Sequence, residues 1–314
     1  MLYLSRCSPP RRSPGRWRRG RAVATVTVVM TTALAACTSG APAGPSSPTG
    51  GASSSAPAAA LSSEPASAGT GGGIAPTPAT ALGRWLSAPV VEIAHHGGSA
   101  SWPAASPTAY QQSRDWNPDL ALEFSARRTA DGVWVGSEDA STGPVYGTDL
   151  TIATSTWEQL STLRSIRGHQ PMSRLDTDLL DQVSPDRILF VDDKDDAHVD
   201  ELLDLLDQHG GAGRAVIKSY WQTVKTPTAA HARGYTTWGY YYADQMDQFE
   251  ATQGRFDLLG IDQDAPTAVY QRMLATGKRV IAHVVATPAQ ADRALAAGAT
   301  GLMVSGVRDV VPRA

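Results

Sequence analysis

From about Leu82 onward, the chain alternates short apolar runs of strand length with amphipathic segments of helical periodicity. Eight runs have the length and composition of buried strands: Val90–Ala94, Leu120–Phe124, Ile188–Val191, Ala215–Ser219, Thr236–Tyr241, Leu258–Ile261, Val280–Val285 and Gly301–Val304. Eight strands separated by helices predict an α/β fold of the (β/α)8 TIM barrel type. A doubly wound sheet is the competitor, but no Gly-x-Gly-x-x-Gly opens a helix, so its dinucleotide-binding form lacks support.

Three helices between these strands are clearest in the sequence. Ala197–His209 repeats Leu at helical spacing, and Thr267–Thr276 and Pro288–Ala297 lie between later strands. Each of the three ends directly before a glycine, which commonly stops a helix. The third also begins with a proline, a residue favoured in the first turn.

The first 36 residues have the pattern of an export signal. Seven arginines and no acid precede a run of apolar residues and Thr, and a basic region before a short apolar core is typical of a signal peptide. Leu34-Ala35-Ala36-Cys37 resembles the lipobox of bacterial lipoproteins, which implies cleavage before Cys37 and lipidation of that residue. An ordinary secretory signal that contains a cysteine is the alternative.

Residues 37–80 form a predicted tether. They are mostly Ser, Ala, Gly, Pro and Thr, with Glu64 as the one charged residue, and show no hydrophobic period. Such a segment cannot bury enough apolar surface to offset its ordering entropy. We therefore expect a disordered linker between a membrane anchor and a folded domain of residues 81–314, on the extracytoplasmic face of the cell membrane.

The charge balance argues against a nucleic-acid partner. The chain has 27 basic and 30 acidic residues, and removal of the leader's seven arginines leaves 20 against 30. An acidic domain does not favour nucleic acid or an anionic lipid surface. Membrane attachment would therefore depend on acyl chains at Cys37. Since Cys7 is the other of the two cysteines, a thiolate zinc site is excluded.

Polar side chains follow the predicted strands at the point where each strand ends. Catalytic residues of (β/α)8 barrels gather at the carboxyl ends of the strands. The strand-end groups here are His95, His96, Glu123, Ser125, Asp192, Lys194, Lys218, Tyr242, Asp244, Asp262, His283 and Ser305. The sequence therefore predicts that histidines, carboxylates and two lysines meet at one rim.

Each of these groups has a chemical and a structural interpretation. His95 and His96 could exchange protons near neutral pH, or they could bond loop carbonyls. Glu123 could hold Mg or Ca through its oxygens, or pair with a barrel Lys or Arg. A turn at residues 129–132 should fold Glu138 back near Glu123. Lys194 could bind an anion such as phosphate.

The order of these residues resembles the glycerophosphodiester phosphodiesterase family. The similar motifs are His95-His96-Gly97 for its His-Arg-Gly, Glu123-x-Ser125 for its Glu-x-Asp, Thr129-x-Asp131-Gly132 with Glu138-Asp139 for its Thr-x-Asp-Gly and His-Asp, and Asp192-x-Lys194 for its Glu-x-Lys. The resemblance covers about Val90 to Val307 and implies the same barrel. It also implies metal-assisted hydrolysis of a glycerophosphodiester, or of an envelope glycerol-phosphate ligand, with glycerol 3-phosphate and an alcohol as products.

The resemblance implies a role for each matching residue. We assign catalysis to His95, Glu138 and Lys194, substrate binding to His96 and Lys218, and binding of a divalent metal, Mg or Ca, to Glu123 and Asp192.

Departures from the family pattern fall on the site itself. His96 stands where the family has an arginine, Ser125 where it has a second metal carboxylate, and Glu138 where it has a second histidine. Glu138 could donate a proton only if burial or like charge raised its pKa above the ordinary value of about 4.3. We therefore expect a divergent phosphodiesterase with a degenerate site and slow or altered turnover. A non-catalytic barrel that binds envelope ligands is the alternative, and head-group cleavage of intact phospholipids is a third hypothesis.

Overall fold

Eight parallel strands close into a barrel within residues 80–314, the part of the chain that the computed structural model describes. In chain order the strands are β1 Val91–Ala94, β2 Ala121–Arg128, β3 Trp134–Gly136, β4 Leu189–Asp193, β5 Ala215–Tyr220, β6 Thr236–Tyr240, β7 Leu258–Asp262, β8 Arg279–Val285 and β9 Gly301–Val304. The barrel runs β1-β2-β4-β5-β6-β7-β8-β9, and β1 pairs with both β2 and β9, which closes it. The closed ring confirms the predicted TIM barrel and excludes a doubly wound open sheet.

Strand β3 lies outside the barrel ring and was not predicted. It pairs antiparallel with the end of β2, with Ala126 opposite Gly136. The Asp131-Gly132 turn joins the two, and the Asp131 carboxylate accepts from Thr129 Oγ1 at 2.6 Å. Because β3 has three residues, its apolar period is too short to identify a strand. This hairpin carries the chain from the end of β2 to Glu138.

The helices occupy the connections between strands. They are α1 Ala81–Leu86, α2 Pro107–Trp116, α3 Gly143–Tyr146, α4 Trp157–Ser161, α5 Leu175–Asp178, α6 Val199–Asp207, α7 Lys225–Ala232, α8 Phe249–Thr252, α9 Thr267–Leu274, α10 Pro288–Ala297 and α11 Val307–Val310. The three predicted helices are α6, α9 and α10. Helix α10 begins at a capping box between Thr287 and Gln290 and ends at Gly298 with φ 109°.

The interior of the barrel is apolar toward the amino ends of its strands. The buried residues there are Leu82, Val91, Ile93, Ala121, Ile188, Phe190, Val216, Trp238, Leu258, Ile281 and Met303. Successive strand residues alternate between the two faces of a sheet, so these positions share the inner face. Leu82 of α1 packs in the same cluster with no exposed surface. Helix α1 therefore closes this end of the barrel.

Several predictions fall beyond the described part of the chain. The export signal of residues 1–36, the lipidation site Cys37 and the tether up to residue 79 lie outside the described residues. Within residues 80–314, no helix combines the length and apolarity required to cross a membrane.

Candidate active site

The inner face of the barrel changes from apolar to charged toward the carboxyl ends of β2, β4 and β5. Glu123, Asp192 and Lys218 follow the apolar inner residues of these strands and are 0%, 1% and 5% exposed. Charged groups this deeply buried are costly unless they are paired. Their mutual contacts therefore decide the structure of this layer.

Lys218 connects the other two members of this layer. Its Nζ lies 3.0 Å from Glu123 Oε1 and 2.8 Å from Asp192 Oδ2. Asp192 and Lys218 are direct neighbours in the register of β4 and β5. Burial alone would lower the pKa of Lys218, but the Asp192 and Glu123 carboxylates outweigh it and raise that pKa well above its usual value. The Lys218 side chain is therefore a buried ammonium group.

A second lysine lies beside the first. Lys194 Nζ is 2.7 Å from Asp192 Oδ2 and 2.7 Å from Glu138 Oε1. Burial acts against its charge, but the carboxylates of Asp192 and Glu138 raise the pKa of Lys194. Asp192 thus contacts both ammonium groups, and the predicted pairing of Asp192 and Lys194 at the mouth is present.

The Ser125 hydroxyl lies at the centre of the carboxylates and the imidazole. Its Oγ is 3.1 Å from Glu123 Oε1, 3.0 Å from Glu138 Oε2 and 3.1 Å from His96 Nε2. A hydroxyl has one proton to donate, so Ser125 can serve only one carboxylate at a time. Glu123, Glu138 and His96 therefore all contact the same small, neutral hydroxyl.

The two histidines form a stacked pair above β1. Their ring centroids are 3.8 Å apart. His96 adopts a left-handed backbone with φ 50°, and its N–H donates to Glu123 Oε2 at 2.7 Å. A left-handed conformation is uncommon for a residue other than glycine and is found at functional sites. In this conformation, both the backbone and the ring of His96 contact the carboxylate layer.

His95 faces the cavity as a neutral base. Its Nδ1 is buried and has no hydrogen-bond partner among the described residues. Burial, followed by the neighbouring charges of His96 and Lys218, lowers the pKa of His95 well below its usual value. The ring therefore stays unprotonated at neutral pH, with a nitrogen available to accept a proton.

Glu138 is ionised, in contrast to what a proton donor requires. Its burial acts to raise its pKa, but the hydrogen bonds from His96 and Lys194 outweigh that effect and lower it far below the ordinary value. The side chain is 51% exposed, which leaves it free to move toward solvent. In this arrangement Glu138 supplies negative charge to His96 and Lys194.

A small cavity of about 60 Å³ opens among these groups. It is lined by His95, Glu138, Lys194, Lys218, Trp238, Tyr240, Tyr242, His283, Val284 and Met303. A larger cavity of about 700 Å³ lies at the opposite end, beside α1, Val91 and Ile188. The smaller one is the candidate site because the buried lysines and the neutral histidine border it, and active sites of this architecture lie at the carboxyl ends of the strands.

Other strand-end residues serve the framework or line the wall. The Asp193 and Asp196 carboxylates accept from Thr226 at the start of α7. Asp262 accepts from the Ala243 backbone N–H at 2.8 Å. His283 is 8% exposed, and its Nε2 donates to the Tyr241 carbonyl at 3.1 Å. Among the strand-end groups, the histidine pair, Glu123, Ser125, Glu138, Asp192 and the two lysines are thus brought together.

Comparison with known proteins supports the fold. Neither a scan against protein-family models nor a search of curated proteins found a match. Among solved structures, an Oleispira antarctica phosphodiesterase in complex with sn-glycerol-3-phosphate has a TM-score of 0.61 and 16% identity, covering 69% of this chain and 93% of the other.

Two further structures agree with this result. A Thermotoga maritima glycerophosphodiester phosphodiesterase has a TM-score of 0.57 and 16% identity, over 70% of this chain and 95% of its own. A glycerophosphoryl diester phosphodiesterase domain from Mycobacterium tuberculosis has a TM-score of 0.54 and 17% identity, over 69% and 96%. The fold is that of the glycerophosphodiester phosphodiesterases. This confirms the predicted resemblance at the level of fold.

The metal expected from this resemblance can be tested against the side chains. Ligand atoms of His95, His96 and Glu123 lie within 4.8 Å of one another, so a candidate His/Glu site exists. Mg and Ca instead require several oxygen ligands. One oxygen of each carboxylate, Glu123 Oε1 and Asp192 Oδ2, already contacts Lys218, and Glu123 Oε2 accepts from the His96 backbone N–H. This arrangement does not fit a hard dication between the two carboxylates.

Proposed function

We propose that this protein hydrolyses glycerophosphodiesters to glycerol 3-phosphate and an alcohol. The observation that carries the proposal is the convergence of His95, Lys194 and Lys218 on one cavity at the carboxyl end of the barrel. The solved structures of similar fold add support, since they are described as phosphodiesterases and one holds sn-glycerol-3-phosphate. No step in the proposed reaction passes through a metal.

The two lysines would bind the phosphate group. An ammonium group has three N–H donors, and Lys194 and Lys218 each contact two carboxylate oxygens. One donor on each lysine is therefore left for the non-bridging oxygens of a phosphodiester. Donors fixed in a water-poor site stabilise the charge that develops in a phosphoryl-transfer transition state.

The histidines would move the protons. Neutral His95 accepts the proton of the attacking water as its oxygen bonds to phosphorus; where a hydroxyl of the glycerol part attacks first, the alcohol leaves with formation of a cyclic phosphate, which water then opens to glycerol 3-phosphate in a second step of the same kind. The bond from phosphorus to the alcohol breaks, and the leaving oxygen takes a proton from His96. Glu138, at 3.4 Å from His96 Nε2, supplies the counter-charge for that protonated ring. The role of proton donor, which the sequence analysis assigned to Glu138, is therefore assigned to His96 instead.

A non-catalytic barrel that binds phosphate-bearing ligands is the second candidate. It is favoured by the lowered pKa of Glu138, which removes the acid assigned to that position from the sequence. Both candidates require anion binding by Lys194 and Lys218, and they differ only in turnover.

The deciding experiment is an assay of glycerol 3-phosphate release from glycerophosphodiesters by the purified protein. We expect turnover that Lys194→Met reduces by roughly tenfold to hundredfold, as for loss of a charged hydrogen bond. Lys225→Met is the matched control, because Lys225 is exposed and donates to the Ala197 carbonyl. Product formation no faster than in buffer would reject hydrolysis and leave the binding candidate.

The place of action is a separate proposal based on the amino-terminal sequence. A lipid on Cys37 would anchor the barrel at the extracytoplasmic face of the cell membrane, with residues 38–80 as the tether. Mass spectrometry of the mature amino-terminal peptide should show an acylated Cys37, and Cys37→Ala should release the protein from the membrane fraction. An unmodified mature amino terminus would contradict this proposal.

A further inference from the structure

We propose that the Lys218 ammonium replaces a divalent cation in this site, so that the protein binds phosphate without metal. This inference deepens the proposed function and rests on it, because it names the charge that holds the phosphate group of the same substrate. The proposal depends on where Lys218 lies, on what its carboxylate partners already bind, and on the charge of the layer.

Lys218 lies where a bridging cation would lie. It extends from β5 between carboxylates on β2 and β4, at 3.0 Å from Glu123 and 2.8 Å from Asp192. The rings of Tyr240 and Trp238 enclose it from the other side, with Nζ at 5.1 and 5.6 Å from their centroids. Carboxylates on one side and aromatic faces on the other both stabilise a cation. The site thus contains its own positive charge, covalently attached to the barrel.

Three of the four carboxylate oxygens that a metal between Glu123 and Asp192 would use are already engaged. Glu123 Oε1 accepts from Lys218 and lies 3.1 Å from Ser125 Oγ, while Oε2 accepts from the His96 N–H at 2.7 Å. Asp192 Oδ2 lies within 2.8 Å of both lysine nitrogens. A dication that bridged Glu123 and Asp192 through these oxygens would have to displace at least one ammonium group and then remain beside it, where like charges repel strongly in a low dielectric.

The charge of the layer makes the proposal testable. Glu123, Glu138 and Asp192 carry three negative charges, and Lys194 and Lys218 carry two positive ones. With both imidazoles neutral, one negative charge remains. A proton on an imidazole balances it, and so would an added metal ion. If a proton balances the charge, a chelator should leave phosphate binding unchanged; if a metal ion balances it, a chelator should weaken phosphate binding.

The experiment measures inorganic phosphate and sn-glycerol 3-phosphate binding by calorimetry, with the purified full chain in EDTA and then with Mg or Ca. We expect the same affinity in every case and no saturable binding of either metal. Lys218→Met should weaken phosphate binding roughly tenfold to hundredfold, whereas the exposed-site control Lys225→Met should not. Since Lys218→Met leaves two buried carboxylates short of a partner, its fold is checked by circular dichroism.

A second variant gives a test that does not depend on whether Lys218→Met folds. In Lys218→Ala combined with Ser125→Asp, the internal cation is removed and a fourth carboxylate is supplied to the layer. We expect this double variant to gain saturable Mg or Ca binding, seen as a metal-dependent rise in melting temperature that the unaltered protein lacks.

The two proposals can fail independently. Loss of phosphate binding in EDTA, tight binding of a metal by the unaltered protein, no phosphate binding in any condition, or unchanged binding in folded Lys218→Met would each overturn the lysine proposal. Turnover that requires a metal would preserve the hydrolase and reject the internal cation. Metal-independent phosphate binding without turnover would preserve the internal cation and reject the hydrolase.

Discussion

The two halves of the barrel mouth differ in chemistry at the same height. Strands β2, β4 and β5 and the His95–Gly97 turn after β1 contribute ionisable side chains to the mouth, whereas β6, β8 and β9 contribute Trp238, Tyr240, His283 and Met303. We call these the charged half and the aromatic half. Within the aromatic half, Gly260 of β7 leaves room for Trp238, because a Cβ there would lie 2.3 Å from the indole ring. The small cavity lies where the two halves meet.

This difference shows how buried charges are tolerated in the site. The charged half pairs every carboxylate with an ammonium group, and the aromatic half presents ring faces to Lys218. Low dielectric strengthens paired charges and penalises unpaired ones. Substitutions in the charged half should therefore have large effects on activity or stability, and substitutions in the aromatic half should have smaller ones.

The largest effect is expected at His95. His95→Ala should lower kcat by roughly 10² to 10⁴, the usual loss for a general base. Because the pKa of His95 is lowered, the acidic limb of kcat/KM should lie below pH 6.5. Activity is then retained as pH falls until the ring protonates. His198→Ala, at a partly exposed histidine that pairs with Glu201, is the control, and equal rates for the two variants would contradict the assignment.

Removal of one buried charge should cost stability next. Glu123→Gln leaves Lys218 with one carboxylate partner, and we expect a loss of about 3–5 kcal/mol in the free energy of unfolding. Urea denaturation followed by circular dichroism measures it. Glu250→Gln is the control, because Glu250 forms an exposed pair with Arg272 and should cost at most about 1 kcal/mol. Similar costs at the two positions would mean that the charged half is not tightly coupled.

The sequence predicted the architecture more completely than the arrangement of charges. Buried parallel strands have a continuous apolar signal, so all eight were found, whereas the short strand β3 was not. The polar residues at the strand ends predicted the site residues. Alternation along the strand, for example, places Asp192 and Lys194 on one face. The contact between Lys218 and Asp192 could not be predicted, since it depends on the register of two neighbouring strands, which the residue pattern does not fix. The ionised state of Glu138 likewise depends on Lys194, 56 residues away.

A pH-dependent loss of stability should come from the aromatic half. Burial, with the charge of Lys218, lowers the pKa of His283 to about 3. As pH falls below about 6.5, His283 therefore binds a proton in the unfolded chain but not in the folded one. The stabilising contribution is complete above pH 6.5 and is lost as pH falls toward 3, at up to about 1.4 kcal/mol per pH unit.

His283→Gln tests this contribution. The variant should show a shallower fall in the free energy of unfolding between pH 6.5 and 4, measured by urea denaturation at each pH. His169→Gln, at an exposed histidine, should keep the slope of the unaltered protein. The same slope in all three proteins would show that His283 is not buried as a neutral ring.

The smallest effect is expected at the outer edge of the aromatic half. Tyr242 is 40% exposed, and its ring lies 5.7 Å from His283 and 6.2 Å from Tyr240. Tyr242→Ala should raise KM for a glycerophosphodiester by up to about tenfold, the equivalent of about 0.5–1.5 kcal/mol for one ring contact. Since Tyr242 contacts no member of the charged half by hydrogen bond or ion pair within residues 80–314, kcat should stay close to normal. A fall in kcat as large as that of His95→Ala would mean that the aromatic half takes part in the chemistry itself, and the division between the two halves would no longer hold.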